Sequence, residues 1–277
     1  MSTRINHNII SLTAQRHLQA NQIRTETAIT RLSSGLRINN AWDDPAGIGI
    51  SERFRAQINS MEEAERNANA NMNVAATAEG ALSSIDDILV RMKALSIQAS
   101  NGAMTDLDRS NLDIEFQQLK SEISRIANTT SYGGFKLLDG SYSSTGIKFH
   151  IGISNVAGED YYYVNFKPMS ADDLGLSDVE LTNTTSAQNA INIIDLAIDS
   201  KDAERVRIGS YVERLQQTIS SYQVSREAAV KAESDIRDAD IAAEMSEFTR
   251  GQLLMQTSVA MLTQANMLPQ IVAGLVG

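Results

Sequence analysis

Hydrophobic positions recur along this chain at three- and four-residue intervals wherever their spacing is regular, the period of a helix with one buried face. Ile191, Ile194, Ile198, Ile208, Val212, Leu215, Ile219, Tyr222 and Ala229 share one such register, with Lys201, Arg205 and Arg226 in its gaps. They predict a long helix over about 186–231 with a coiled-coil-like seam. Leu112, Phe116, Leu119, Ile123 and Ile126 predict a shorter helix. It starts at Thr105, and Asp106 and Asp108 then meet the positive end of its dipole. A third helix is expected from Pro45 to about Ser100, capped by Asp44 and ended by Asn101-Gly102. Ala78, Leu82, Ile85, Leu89, Met92 and Leu95 line its later half, and Gly80 is a soft point. At ~1.5 Å per residue it measures roughly 80 Å, and helices of that length packed antiparallel make a rod.

The middle of the chain is patterned differently. Tyr132-Gly133-Gly134-Phe135 and Asp139-Gly140 are turn signals, Ile147, Phe149 and Ile151 alternate, and 161–166 is aromatic and β-branched. Two or three short strands in hairpins are expected there. Residues 168–186 are polar and acidic and read as a connection.

At the N-terminus a helix is expected from near Ile5 to Ser33-Ser34, with Gly35 as a left-handed cap and Ile5, Ile9 and Leu12 as its clearest stripe. At the C-terminus Ile241, Met245, Phe248, Met255, Val259 and Leu262 hold one heptad seam, broken only by Gln252. A second stripe, Leu254, Met261 and Leu268, repeats every seven residues to one side. One partner helix buries one seam. If the N-terminal helix is that partner, the second stripe stays exposed, and an exposed apolar stripe marks an interface. Neighbouring copies of the chain are the expected cover. A contact that does not close on itself would make an open helical filament. The alternative is a lone bundle whose second stripe is covered by the 186–231 helix.

Charge sharpens this picture. The 277 residues carry 24 Lys and Arg against 34 Asp and Glu, a formal net charge of -10, which argues against a nucleic-acid partner. Residues 1–25 hold Arg4, Arg16 and Arg24 and no acid. Residues 233–247 hold Glu233, Asp235, Asp238, Asp240, Glu244 and Glu247 against Arg237 alone, so the two ends are expected to lie together. The absence of Cys removes disulfides and thiolate metal sites, and aromatic residues at 5% favour helix packing over a β-sandwich. The charge-free stretch from Gly251 is too often interrupted, by Gln252, Gln256, Thr257, Ser258 and Pro269 among others, to span a membrane. No signal-peptide pattern is read at the N-terminus.

The ends also carry motifs. Leu32-Ser33-Ser34-Gly35-Leu36-Arg37-Ile38-Asn39-Asn40, followed by Asp43-Asp44-Pro45-Ala46-Gly47, resembles the N-terminal signature of bacterial flagellins. Ser234-Asp235-Ile236-Arg237-Asp238-Ala239-Asp240, then Gln264-Ala265-Asn266-Met267-Leu268-Pro269-Gln270, resembles their C-terminal signature. Order and register hold over roughly 1–140 and 185–277. The resemblance implies a mainly α structural subunit of the motility filament, exported unfolded through the flagellar type III channel. It implies terminal helices at 1–42 and 236–277 that order on assembly into an inner coiled-coil tube. A helical rod at 43–235 would surround them, with hairpins at about 132–167 and no large outer domain, so the filament should be thin and smooth. The implied partners are other copies, an export chaperone on the C-terminal segment, and cap and junction proteins. The related hook–filament junction protein and a monomeric helical binding module are the alternative identities.

The run Leu89 to Gln98 further resembles the segment read by the flagellin-sensing Toll-like receptor, which implies Arg91, Leu95 and, on the adjacent helix, Glu115 as contacts. The other reading makes Leu95 core and Arg91 a solvated charge. Trp42 departs from the family pattern and either packs against a neighbouring subunit or staples the helix start.

Catalysis finds little support. The His residues are His7, His17 and His150, without a His-Glu-x-x-His spacing, and there is no Gly-x-Ser-x-Gly elbow. Asp43-Asp44, Asp86-Asp87 and Asp172-Asp173 are adjacent carboxylates, which on a helix diverge by about 100° and are read as caps and solvated faces. No enzyme, cofactor or metal site is expected.

Overall fold

In a computed structural model of the chain, the backbone is described over residues 7–276 and the side chains over 7–267. The elements are α1 (Ile9–Ser34), α2 (Pro45–Ala99), α3 (Asp106–Thr129), β1 (Ser131–Tyr132), β2 (Phe135–Lys136), β3 (Ile147–His150), β4 (Tyr161–Val164), α4 (Thr184–Arg237) and α5 (Ile241–Val276). The architecture is mainly α. The chain falls into two compact units, 1–58 with 227–277 and 59–226, and the division lies inside α2 and α4.

The expected caps stand where the sequence puts them. Asp44 Oδ1 accepts from the Gly47 amide at 2.9 Å, so α2 opens on Pro45 with its first orphan donors satisfied. Thr105 and Asp108 form a reciprocal capping box at the start of α3. Gly35 closes α1 at φ 71°, its N–H on the Arg31 carbonyl at 2.8 Å. α2 runs on through Gly80 without a break.

In the 59–226 unit, α2 and α4 run antiparallel, as pairs between Asp86 and Lys201, Glu79 and Arg205, and Glu65 and Arg226 show. Leu82, Ile85, Leu89, Met92 and Leu95 are each no more than 1% exposed and meet Ile194, Ile208 and Leu215 of α4 and Phe116 and Ile123 of α3 in one core. The residues in the gaps of the α4 register are therefore part of the seam. Lys201 is 1% exposed, with Asp86 and Asp202 (2.7 Å) on its ammonium. Burial pushes its pKa down, but the hydrogen bonds it donates to Asp202 and Asp86 outweigh that, and the pKa lies above the ordinary lysine value. The stabilisation this gives is complete below the unfolded lysine pKa and is lost only as alkaline pH rises through the folded one. Replacing Lys201 with Ala is expected to cost about 3 kcal/mol in denaturant unfolding, the low end for breaking a buried pair, because both partners keep access to water. A loss under about 0.5 kcal/mol, the range of ordinary surface substitutions, would contradict a seam role.

The middle holds two separate two-stranded sheets, both antiparallel. Gly133 and Gly134, at φ 58° and 90°, make the two-residue turn of the first with positive φ at both positions. Phe149 and Val164 of the second, and Phe166 just beyond it, enter the core. The 168–186 connection is more than a polar link. Met169, Leu174, Leu176, Val179 and Leu181 turn inward and are buried, and the acids between them face out. Polar side chains of α3 hold it: Asp113 accepts from the Leu181 amide at 2.8 Å, and Gln117 donates to the Val179 carbonyl at 3.1 Å.

The adjacent carboxylates are tied up structurally. Asp44 is a cap, Asp43 accepts two turn amides, Asp86 pairs with Lys201, and Asp172 and Asp173 accept from Ser177 and Ser170.

Candidate self-assembly surface

In the unit formed by the two ends, α1 and α5 lie antiparallel. Asn8 Nδ2 donates to the Ala265 carbonyl at 2.8 Å, Ser11 Oγ to Asn266 Oδ1 at 2.8 Å, and Asn21 Nδ2 to Ser258 Oγ at 3.1 Å. Arg31 Nη1 donates to Glu244 Oε1 at 2.9 Å. The ends do lie together, but the ion pair is made by Arg31, outside 1–25; of the arginines expected to do so, Arg24 acts on Glu247 only at a distance, and Arg4 lies outside the described residues. Glu247 is held below the usual carboxylate pKa chiefly by the hydrogen bond from Arg250 on its own helix.

The inner side of α1 is Ser11, Ala14, Leu18, Asn21, Thr25, Ala28 and Leu32, alternating by three and four. That of α5 is Glu244, Phe248, Gly251, Met255, Ser258, Leu262 and Ala265 in the same alternation. The backbones approach closely at Gly251, where an added Cβ would lie 2.4 Å from Thr25 Oγ1, itself donating to the Asn21 carbonyl at 2.8 Å.

This corrects the expected seam. Phe248, Met255 and Leu262 do turn inward, but Ile241, Met245 and Val259 are 50%, 48% and 51% exposed. On α1, Ile9 and Leu12 are 61% and 58% exposed and point away from α5. The reason is steric. Two helices come closest where side chains are small, and a hydrophobic period weights the large ones, so Gly251, Ser258 and Ala265 give no signal although they are three of the seven inner positions of α5. The second stripe is exposed as expected, Leu254 at 38% and Met261 at 62%. Ile5 and the side chain of Leu268 lie outside the described residues. Ile9, Ile10, Leu254 and Met261 together line an open apolar groove of about 520 Å³ along one side of the helix pair.

The loops that join this pair to α2 and α4 are clasped together, which the sequence reading did not foresee. Arg37 N–H donates to the Arg237 carbonyl at 2.7 Å and Ala239 N–H to the Gly35 carbonyl at 2.9 Å. The Arg37 guanidinium reaches the Ile236 carbonyl at 2.6 Å. Arg237 and Arg55 both donate to Glu52, Arg237 with the larger effect, and hold its carboxyl below the usual range. The signature residues at 34–40 and 234–240 are thus the two halves of one clasp.

Of the residues expected to meet a receptor, Arg91 and Glu115 are brought together, Nε to Oε1 at 2.8 Å, and each is about half exposed. Leu95 is not at the surface. It is 1% exposed, a core residue of α2, whereas Val90 and Ile97 are the exposed large apolar side chains nearest it on that helix.

Terminal helices that pair largely through small residues and leave a row of large apolar side chains exposed have the character of a structural, self-associating protein, because exposed apolar patches mark interaction surfaces. Comparison with known proteins names the family. Residues 5–143 match the bacterial flagellin N-terminal helical region and 191–276 the bacterial flagellin C-terminal helical region. The flagellin of Halalkalibacterium halodurans is 40% identical over 97% of this chain and 97% of its own length. That of Bacillus subtilis is 37% identical over 96% and 97%. The flagellar filament 30.7 kDa core protein of Treponema maltophilum is 36% identical over 95% of each. Among solved structures, a putative flagellar hook-associated protein from Vibrio parahaemolyticus shares the fold, with a TM-score of 0.59 at 16% identity over 71% of this chain and all of that one. The chain belongs to the bacterial flagellin family.

Proposed function

We propose that the outward sides of α1 and α5 are the surfaces through which this chain, a structural subunit of the extracellular flagellar filament and not an enzyme, polymerises. The observation that carries the reading is the exposure of Leu254 and Met261 beside Ile9 and Leu12 in a helix pair that already uses its small-residue faces on itself. Ile241, Met245 and Val259 add a further apolar side, Ile5 and Leu268 complete the set, and Phe248, Met255 and Leu262 serve assembly only through the seam that holds α5 on α1. Near-complete overlap with filament subunits supports this over a junction protein. Salt-induced polymerisation of the purified chain, viewed by electron microscopy, is expected to give long fibres; solitary particles at every concentration would contradict it.

In this reading residues 1–42 and 236–277 build the inner tube and 43–235 the helical layer around it, hairpins included. No large outer domain is inserted, so the filament is thin. The same apolar sides would be held by an export chaperone before assembly and met by cap and junction proteins at the filament's ends. For the flagellin-sensing Toll-like receptor, the accessible charges Arg91 and Glu115 carry the contact, with Leu95 supporting that face from beneath. Arg91→Ala is expected to lower receptor signalling about tenfold, the scale of one lost hot-spot contact, without changing the unfolding midpoint. Unchanged signalling in a receptor-reporter assay would reject the assignment.

A further inference from the structure

α1 has a second periodic face. Ile9, Leu12, Arg16, Gln19, Ile23 and Glu26 alternate by three and four on the side opposite its seam with α5, and every one is exposed. Its charge changes sign along the helix. The N-terminal half carries Arg16 among Ile9, Leu12 and glutamines, around an open recess of about 380 Å³. Arg16 makes no salt bridge among the described residues, and its hydrogen bond is a long one, 3.4 Å to Thr13 Oγ1 on its own helix. On this face the C-terminal half carries Glu26, and there Ile23, Glu26, Trp42 and Asp43 line a depression of about 170 Å³ together with Arg31, whose guanidinium is taken up by Glu244.

Trp42 is the sole tryptophan of the chain and is 80% exposed, so it does not staple the start of α2. Nor is it on a loose loop. Asp43 Oδ2 accepts the Asn39 and Asn40 amides at 3.1 and 2.9 Å, Asp43 N–H donates to the Asn40 carbonyl at 3.0 Å, and Ile38 beneath is 2% exposed. A turn held this way presents the indole with little entropy left to lose on binding.

We propose that in the filament the Ile9–Leu12–Arg16 surface of one copy seats on the Ile23–Glu26–Trp42 depression of the next. The Arg16 guanidinium then lies over the Trp42 ring and faces Glu26 and Asp43. The occupant is a second copy because the complementary surface, a cation among aliphatic side chains, is on the same helix of the same chain. The contact joins two different patches, so each copy added leaves one of each free. Such a contact does not close into a dimer and continues as a filament. The proposal rests on the filament reading.

The test uses full-length chain polymerised from seeds at fixed ionic strength, with the critical concentration read by sedimentation and the emission of Trp42 by fluorescence. Arg16→Glu and Glu26→Arg are each expected to raise the critical concentration about tenfold or more, since like charges then oppose each other across the contact. The double variant is expected to return to within about threefold of the original. Trp42 emission should shift to the blue and resist acrylamide quenching in filaments. Fibres that grow equally well with either reversal, a double variant no better than the singles, or Trp42 as quenchable in filaments as in the monomer would each overturn the contact and leave the filament reading intact. Failure of the unaltered chain to form fibres would overturn both.

Discussion

Replacing Gly251 with Leu is expected to abolish filament growth while the 59–226 unit stays folded. The Cβ alone would stand 2.4 Å from Thr25 Oγ1, on the inner side of a helix pair whose seam has no space for it. A branched side chain there pushes α1 and α5 apart or rotates one about its axis. Overpacking of this kind costs about 1–3 kcal/mol, and rotation also moves Leu254 and Met261 off the faces that neighbours must meet. Gly251→Ala should be milder, because the lost space is partly offset by about 1 kcal/mol of helix propensity. Combining it with Thr25→Ala removes the clash and should restore growth. Sedimentation of polymer at increasing protein concentration reads all three. Normal growth of the Leu variant would show that the seam does not govern assembly.

The second large effect is expected from Leu254→Asp with Met261→Asp. Both positions lie on the exposed side of α5, Met261 at 62% and Leu254 at 38%, so unfolding of the monomer should change by no more than about 1–2 kcal/mol, most of it helix propensity. In the polymer each side chain would instead lose about 1.5–3 kcal/mol of apolar burial and place a carboxylate in an apolar contact. The critical concentration should rise about a hundredfold or beyond measurement. A fall in monomer stability with unchanged polymerisation would assign these residues to the fold, not to assembly.

How much of this was legible depended on what each position has to do. Asp44, Pro45, Thr105, Asp108 and Gly35 act on their own backbone neighbours, and their chemistry is local, so the ends of α1, α2 and α3 could be read from the sequence. Leu82 to Leu95 are large and buried on one side, so their period is that of the core. The α4 register was legible too, but Lys201 and Arg205 stood in it as gaps, because a carboxylate on another helix that makes a buried cation tolerable is invisible in a one-dimensional pattern. The α1–α5 seam was misread for the opposite reason. Beside Phe248, Met255 and Leu262 its contacts are small or polar side chains, Ser11, Ala14, Gly251, Ser258 and Ala265, while Ile241, Met245 and Val259 of the expected seam face outward. The apolar stripes were real, but half of the expected seam and the whole described part of the second stripe marked the outside. The clasp between 36 and 238 was illegible because it is made by backbone groups of residues 200 positions apart. Leu95 was assigned to a surface by resemblance although its own register with Met92, Leu89 and Ile85 places it in the core.

The most direct measurement is a helical reconstruction of the full-length chain's own filament at side-chain resolution. The expected result is that Gly251 stays against Thr25 of its own copy while Leu254, Met261, Ile9 and Leu12 are enclosed by side chains of other copies. A filament in which those four residues face open solvent, with copies joined through other surfaces, would contradict it.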